Sequence, residues 1–236
     1  MIDSSIPKKI HFTYRTKKLP KVYQTNLSLW KKMCPDWTIH YYSNEDVYKF
    51  FNTYFPEYSN EIAQIEMGVV LSDLFRYGVL YIYGGMYTDC DTFPVREIPS
   101  DWLSFDSVIG YEYQPKKHRC KNIPSYQEDT LCQWTLLSKP KYPLFKEVLD
   151  QSILKLKERN FQFRYGTDIL ETTGPIHFTQ VAKKYLEDPN ILILDMDVFA
   201  PKSMINPTLQ NNVVFHQYHG SAGWKLEVAL PQLRFE

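Results

Sequence analysis

The first sixty residues alternate between short apolar runs typical of β-strands and longer runs with apolar residues at helical spacing. Segments 10–14 and 38–42 are predicted as strands, and a helix is predicted to begin at Pro20. A polar cluster at 43–46 predicts the N-terminal cap of a second helix. The apolar stripe of that helix consists of Val47, Phe50, Phe51 and Tyr54. This strand–helix–strand–helix order predicts an α/β fold.

The rest of the chain continues the mixture of strands and helices. Residues 61–77 are predicted to form a helix that runs into a buried strand over 79–83. Gly84 and Gly85 break that strand, and an extended segment follows up to Asp91. The remaining predicted elements are strands at 107–113, 191–194 and 213–215, helices after Pro143 and over 175–186, and an exposed loop over 114–130. No repeat or linker divides the chain, so one domain is predicted.

The charge balance and the aromatic content limit the classes of ligand. The chain of 236 residues carries 27 Lys and Arg and 27 Asp and Glu, so its formal net charge is zero. Because a phosphate backbone requires a basic surface, nucleic acid is not expected as a partner. Aromatic residues make up 16% of the chain. Such an excess either fills a large core or lines a site for a ring-shaped ligand.

Two carboxylates lie two residues apart, at Asp89 and Asp91, shortly after the glycine pair. In an extended segment, residues i and i+2 face the same side, so these carboxylates are expected to converge while Cys90 points away. Converging carboxylates repel each other unless a proton or a cation lies between them. Mg²⁺ or Mn²⁺ with substrate phosphates is the common solution. The glycines are expected to let a ligand or a backbone approach closely.

The helix before this pair adds an acid and a base on one face, because Asp73 and Arg76 lie three residues apart. A second Asp-x-Asp, at 195–197, lacks both the glycines and such a helix, and is interpreted as an ordinary strand end. A phosphatase of the haloacid-dehalogenase type would need Thr or Val two residues after the second Asp, where both pairs have Phe. The first pair is therefore the candidate site.

Five short motifs are distributed along nearly the whole chain. The central one is Ser72-Asp73-x-x-Arg76-Tyr77, followed by Tyr81, Gly84-Gly85 and Asp89-x-Asp91. The others are Ile6-Pro7-Lys8-Lys9-Ile10-His11-Phe12, Pro35-Asp36-Trp37, Thr173-Gly174-Pro175 and Val214-Phe215-His216-Gln217-Tyr218-His219-Gly220-Ser221. With these motifs the chain resembles glycosyltransferase family 32, the Och1-like mannosyltransferase and capsular polysaccharide group. More distantly, it is similar to the glucosylating domains of large clostridial toxins.

This resemblance implies one GT-A catalytic domain over residues 1–236, with a Rossmann-like mixed sheet flanked by helices. It also implies a retaining hexose transfer from a UDP- or GDP-linked sugar to a glycan or lipid-linked hydroxyl, with Mn²⁺ or Mg²⁺ as cofactor. By motif position, Asp91 would bind the metal, and Asp89 would contact the metal shell and the ribose or sugar. Asp73 and Arg76 would hold the sugar hydroxyls. These four are the candidate catalytic residues.

The resemblance further implies a nucleotide site near the first two strands. Tyr14 matches the place of an aromatic residue that stacks on the base, and its sequence neighbours Phe12 and Thr13 are candidates for the same nucleotide site. Asn44 follows the second strand, where the base edge is read. Tyr87 precedes the acidic pair and is expected to contact the nucleotide.

The C-terminal motif implies a segment on the metal and phosphate side, with His216 and Ser221 as candidate ligands. An additional His219 is present, and two residues separate Ser221 from Trp224, where the family has Trp directly after Ser. Either histidine could therefore face the metal. Trp224 and Trp134 are candidates for packing on a sugar. Gln133 and Trp134 are expected either to border the acceptor or to be ordinary core residues.

Two other functions stay open. One is a metal-dependent phosphohydrolase of a nucleotide or sugar phosphate, and the other is a non-catalytic sugar-nucleotide-binding module. Four cysteines without CxxC or zinc-finger spacing indicate a reducing compartment. No apolar run is long enough to span a bilayer. We therefore expect a cytoplasmic protein of bacterial or viral type, which a lipid-linked acceptor would bring to a membrane surface.

Overall fold

The computed structural model describes residues 6–116, 128–199 and 211–219 and is built on a six-stranded sheet. The strands are β1 (Lys9–Thr13), β2 (Thr38–Tyr42), β3 (Gly85–Thr88), β5 (Ser107–Tyr113), β6 (Thr130–Ser138) and β7 (Ile191–Leu194), in the order β2-β1-β3-β6-β5-β7. All neighbours are parallel except that β6 runs antiparallel to β3 and β5. The strands β4 (Thr92–Pro94) and β8 (Val214–His216) form a second, antiparallel pair.

Helices cover the sheet. They are α1 (Lys21–Met33), α2 (Asn44–Tyr54), α3 (Ser59–Ile62), α4 (Gly68–Tyr83), α5 (Pro143–Glu158), α6 (Gly166–Thr172) and α7 (Pro175–Ala182), with 3-10 turns at Pro56–Tyr58, Ser100–Ser104 and Lys183–Tyr185. The predicted cap of α2 is confirmed. The Ser43 hydroxyl accepts a hydrogen bond from the Asp46 amide, and the Asp46 carboxylate accepts one from the Ser43 amide.

Two apolar clusters lie on the two faces of the sheet, because side chains alternate along each strand. Tyr87 and Leu136 belong to the cluster formed with α2, α4, α5 and α7. Their sequence neighbours Met86 and Leu137 belong to the other cluster, with Trp30 of α1. The predicted α/β class is therefore confirmed. Within the described ranges, no helix has both the length and the apolar character needed to cross a membrane.

The segment before the acidic pair differs from the prediction. Residues 79–83 are the last turn and a half of α4 and form no strand, and the predicted helix over 61–77 is two separate helices. A run that is apolar at nearly every position fits a buried helix and a buried strand equally well.

The glycine pair serves one of the two purposes that were expected for it, the close approach of backbone. Gly84 ends α4 with φ at +61°, and Gly85 opens β3 with φ at +93°. A Cβ on Gly84 would lie 2.6 Å from Pro140 Cδ, and one on Gly85 would lie 2.5 Å from the Lys9 carbonyl oxygen. The glycines thus permit close approach of the protein's own backbone, where a ligand had been the alternative.

Strand β6 and helix α6 are among the elements that the sequence prediction missed. Strand β6 is buried along its full length and includes Gln133 and Trp134, which had been interpreted as bordering an acceptor or as core. The short helix α6 follows a turn and begins at Gly166. The predicted exposed loop is described only at its ends, since residues 117–127 lie outside the described residues.

Candidate functional site

The acidic pair lies in a tight turn at the carboxyl end of β3. The amide and the hydroxyl of Thr92 both donate to the Asp89 carbonyl, at 3.0 and 2.7 Å. Cys90 points away and donates to the Thr13 carbonyl. The predicted convergence of Asp89 and Asp91 is confirmed, but the predicted extended conformation is wrong, because the turn brings the carboxylates together.

Asp89, Asp91 and His216 form a candidate metal centre. One ligand atom from each lies within 4.8 Å of the other two. His216 Nε2 lies 3.1 Å from Asp91 Oδ1. Carboxylates and imidazoles are common ligands of divalent cations, and the spacing of these three is within reach of one cation. The residues therefore fit the divalent cation that the Asp-x-Asp pattern implies.

The structure distinguishes the two histidines. The His216 ring joins the carboxylates, whereas the His219 ring lies beside Tyr23 with a centroid distance of 6.1 Å. His219 contributes its backbone amide, which donates to Asp91 Oδ2 at 2.9 Å. Ser221 and Trp224, the other candidates of this segment, lie outside the described residues.

The two carboxylates differ in proton affinity. Burial raises the pKa of Asp89 even though Arg76 is close, and the nearby Asp91 charge adds to the effect. Burial also acts to raise the pKa of Asp91, but the hydrogen bonds from His216 and from the His219 amide outweigh it and lower that pKa. Asp91 is therefore the stronger acid of the pair. Asp89 keeps 27% of its side-chain surface exposed.

Arg76 links the metal centre to the buried Asp73. Its guanidinium reaches Asp73 Oδ1 at 2.7 Å through Nη1 and Asp89 Oδ1 at 3.1 Å through Nη2. The predicted shared face of Asp73 and Arg76 on α4 is thus confirmed. Tyr87 lies under the guanidinium at 4.9 Å and donates its hydroxyl hydrogen bond to Asp89 Oδ1 at 2.8 Å. Burial raises the pKa of Asp73 to about 7, against the opposing effect of Arg76.

The Thr173-Gly174-Pro175 motif binds Asp73 at the carboxylate oxygen that Arg76 does not contact. The Thr173 hydroxyl donates to Asp73 Oδ2 at 2.8 Å. A Cβ on Gly174 would lie 2.6 Å from Leu170 Cα, so only glycine fits where the end of α6 packs closely. Pro175 is the first residue of α7. Each residue of the motif thus has a structural reason in this chain.

The candidate nucleotide residues are distributed around the loop after β1. A depression of about 500 Å³ is lined by residues 14–16 and 18–20. Tyr14 lines it, and its ring lies 5.4 Å from the Tyr23 ring. Asn44 borders the same loop, because its backbone N–H donates a hydrogen bond to the Arg15 carbonyl. The Thr13 hydroxyl donates within the sheet to the Tyr42 carbonyl.

One candidate is corrected. The Phe12 side chain is fully buried and packs on Trp30 with a centroid distance of 6.2 Å. Side chains alternate along β1, and the preceding core position on the same face is Ile10. Phe12 is therefore a core residue and its side chain does not line a nucleotide site.

Trp134 is likewise corrected as a sugar-packing candidate. Its indole stacks on the His216 ring with centroids 4.7 Å apart and planes 12° apart, and it is 5% exposed. Both Trp134 and Gln133 belong to the interior of the site. The second Asp-x-Asp stays outside it, since Asp197 accepts a hydrogen bond from Asn211 in the turn after β7.

Asn26 is a site residue that sequence reasoning missed. It is buried in α1, and its amide donates to the Cys90 carbonyl and to Gln217 Oε1, both at 2.9 Å. It therefore ties the acidic turn to the C-terminal segment. The signal available in the sequence was an Asn on the apolar face of a helix, four residues before Trp30.

A family described as "Glycosyltransferase sugar-binding region containing DXD motif" matches residues 20–114. The chain is 24% identical over 225 residues to the initiation-specific alpha-1,6-mannosyltransferase of Candida albicans, covering 83% of this chain and 56% of the relative. It is 26% identical over 184 residues to mannosyl phosphorylinositol ceramide synthase CSH1 of Saccharomyces cerevisiae, covering 76% and 43%. The chain spans about half the length of the curated relatives it matches.

Solved structures share the fold. The UDP-bound glycosyltransferase domain from the YGT toxin aligns with a TM-score of 0.56 and 10% identity, covering 81% of this chain and 80% of that domain. The PaToxG glycosyltransferase aligns with a TM-score of 0.52 and 22% identity, covering 77% and 70%. The predicted GT-A fold is confirmed. Residues 20–114 of this chain are therefore similar to the DXD sugar-binding region of glycosyltransferases, and the chain shares the GT-A fold of these enzymes.

Proposed function

We propose that this chain transfers a hexose, with retention of configuration, from a UDP- or GDP-linked donor to a hydroxyl of a glycan or lipid-linked acceptor. Relatives named as mannosyltransferases make mannose the first sugar to test. The observation that carries the proposal is that one buried arginine joins the Asp73 carboxylate to the acidic pair. Arg76 contacts Asp73 on one side and Asp89 of the candidate metal centre on the other. The cytoplasmic location and the absence of a nucleic acid partner belong to this proposal.

The residues divide into a metal side and a sugar side. Asp91 and His216, with Asp89, would hold Mn²⁺ or Mg²⁺. A divalent cation there would offset the negative charge that develops on the departing nucleoside diphosphate. Asp73 and Arg76 would orient the sugar hydroxyls, and the Asp89 carboxylate lies between the two sides. A carboxylate close to the sugar also stabilises the positive charge that develops on the sugar ring in the transition state.

The hydrogen bonds of the carboxylates favour retention without a covalent enzyme intermediate. Asp73 accepts hydrogen bonds on both oxygens, as does Asp91. Asp89 Oδ1 is held by Arg76 and Tyr87. Carboxylates held in this way are poor nucleophiles, so the leaving phosphate is the base proposed for the acceptor hydroxyl. A glycosyl adduct trapped on any of the three side chains would contradict this part.

The test is an assay of purified protein with Mn²⁺ and separate UDP-glucose, UDP-galactose and GDP-mannose samples without acceptor. A transferase releases free sugar and nucleoside diphosphate slowly from one of them. Rapid release of inorganic phosphate would identify a phosphohydrolase instead, and tight binding without turnover would identify a binding module.

The metal side is tested by Asp91→Asn, with Asp195→Asn of the second Asp-x-Asp as the matched control. Asp91→Asn should abolish Mn²⁺-dependent donor binding measured by calorimetry, while circular dichroism stays that of the wild type. The control should bind the donor normally. Unchanged Mn²⁺ dependence in Asp91→Asn would refute the assigned metal ligand.

A further inference from the structure

We propose that strand β6 aligns the two sides of the site through two adjacent residues, Gln133 for the donor sugar and Trp134 for the metal. This rests on the function proposed above, where the two sides are defined. Neighbouring residues of a strand point to opposite faces of the sheet. Both belong to one buried strand between β3 and β5, so the backbone of that strand sets their spacing.

Gln133 orients the carboxylate on the sugar side. Its Nε2 donates to Asp73 Oδ1 at 2.7 Å, where Arg76 Nη1 also arrives at 2.7 Å. Thr173 Oγ1 donates to Asp73 Oδ2 at 2.8 Å. A carboxylate has about four acceptor positions, so three of them are filled. The remaining position is on Oδ2, which is the oxygen left for a sugar hydroxyl.

Trp134 orients the metal side twice. Its indole stacks on the His216 ring, which is packed from another direction by Tyr218 at 4.1 Å. Its backbone carbonyl accepts the Asp89 amide hydrogen bond at 3.0 Å. Trp134 thus positions both the plane of the His216 imidazole and the start of the acidic turn. Groups that orient metal ligands commonly change metal affinity by 10- to 100-fold when removed.

The sugar side is tested with Gln133→Leu, which removes the amide at nearly constant volume. Gln151→Leu is the matched control, since the Gln151 amide donates to Glu147 on α5. The ligand is the sugar nucleotide that the wild type turns over. At saturating Mn²⁺, Gln133→Leu should bind it about 10- to 100-fold more weakly than the wild type does. Its affinity for the corresponding nucleoside diphosphate and for Mn²⁺ should not change. Thr173→Val, with Thr173→Ser as rescue, repeats the measurement should Gln133→Leu not fold.

The metal side is tested with Trp134→Leu, with Trp134→Phe as the conservative variant that keeps a stacking ring. Trp102→Leu is the matched control, because Trp102 packs on Phe199 in the apolar cluster. Titration of Mn²⁺ alone, followed by electron paramagnetic resonance, should show about tenfold weaker binding in Trp134→Leu. Trp134→Phe should restore most of it. The ratio of sugar-nucleotide to nucleoside-diphosphate affinity should stay that of the wild type.

The proposal is overturned if both variants lower both affinities in the same proportion, which is the result of general loss of packing. It is also overturned if Trp134→Leu binds Mn²⁺ normally, or if Gln133→Leu and Thr173→Val leave the sugar-nucleotide to nucleoside-diphosphate ratio unchanged. Failure of the proposed function is a separate result, namely no donor turned over by the wild type. The Mn²⁺ titration uses no donor, so it still decides the role of Trp134 in that case.

Discussion

At the scale of single residues, Arg76 joins the two sides of the candidate site. It is 4% exposed and lies between Asp73 and Asp89, over the ring of Tyr87. The spacing of Asp73 and Arg76 on one helix face was readable from the sequence. The contact with Asp89 was not, because it depends on how α4 packs against the end of β3.

Arg76→Lys should therefore be far from conservative. A lysine has one ammonium group and cannot bridge two carboxylates with a planar fork. We expect a loss of about 3 kcal/mol in the free energy of unfolding, measured by urea denaturation, and loss of donor turnover. Arg159→Lys is the control, because Arg159 pairs with Asp168 at 2.6 Å but is 33% exposed. That control should cost under about 1 kcal/mol, and an equal cost in both variants would contradict the bridging role.

Asn26 and Gln133 illustrate what residue-level reasoning cannot find. Each is a polar side chain that is almost completely buried, at 3% and 4% exposure. Their partners lie 64 and 60 residues away along the chain. Nothing local in either stretch indicates which distant group will satisfy the amide.

At the scale of elements, the connection from α4 to β3 positions the site. The helix carries Asp73 and Arg76, and the strand ends at the acidic turn. The predicted strand over 79–83 was wrong because the uniformly apolar run has no periodicity to separate helix from strand. The break at Gly84 and Gly85 was predicted correctly, since two successive glycines interrupt either element.

A matched pair of Gly→Ala variants tests this connection. Gly85→Ala combines φ of +93° with a Cβ 2.5 Å from the Lys9 carbonyl oxygen, so the β1–β3 pairing must shift. We expect a loss of about 3 kcal/mol in the free energy of unfolding. At Gly68, the first residue of α4, nothing lies within 4 Å of an added Cβ. Gly68→Ala should be neutral or stabilising by about 0.5 kcal/mol, and denaturant titration of both variants decides the matter.

At the scale of the whole molecule, the sheet buries groups that must stay uncharged. His11 on β1 is packed among Tyr42, Tyr83 and His40, and its Nε2 lies 3.0 Å from the Gly84 carbonyl oxygen. Burial lowers the pKa of His11 to about 3. Burial also lowers the pKa of His177, on α7, to about 4.

The fold should consequently lose stability in mild acid. A histidine in the unfolded chain has a pKa near 6.5. In the folded protein the pKa is about 3 for His11 and about 4 for His177. The stabilisation is present above pH 6.5 and is lost as the pH falls toward those values. Between pH 7 and 5, each histidine should account for about 2 kcal/mol of the decrease.

Urea denaturation of the wild type, His11→Gln and His177→Gln at both pH values measures this dependence. Each variant should show a smaller decrease than the wild type between pH 7 and 5, whatever its stability at pH 7. A decrease equal to that of the wild type in both variants would show that other groups cause the acid sensitivity. The prediction of one domain over residues 1–236 stays a prediction at this scale.

The sequence alone determined the α/β class, the cap of α2, the face shared by Asp73 and Arg76, and the acidic pair as the candidate site. These features depend on neighbours within a few residues, where side-chain periodicity and capping act directly. Only the tertiary structure decided that His216 joins Asp89 and Asp91, and that Trp134 packs behind it. His216 is 125 residues from Asp91. Contacts at that separation arise from the pairing of β4 with β8 and the central place of β6, which no local pattern encodes.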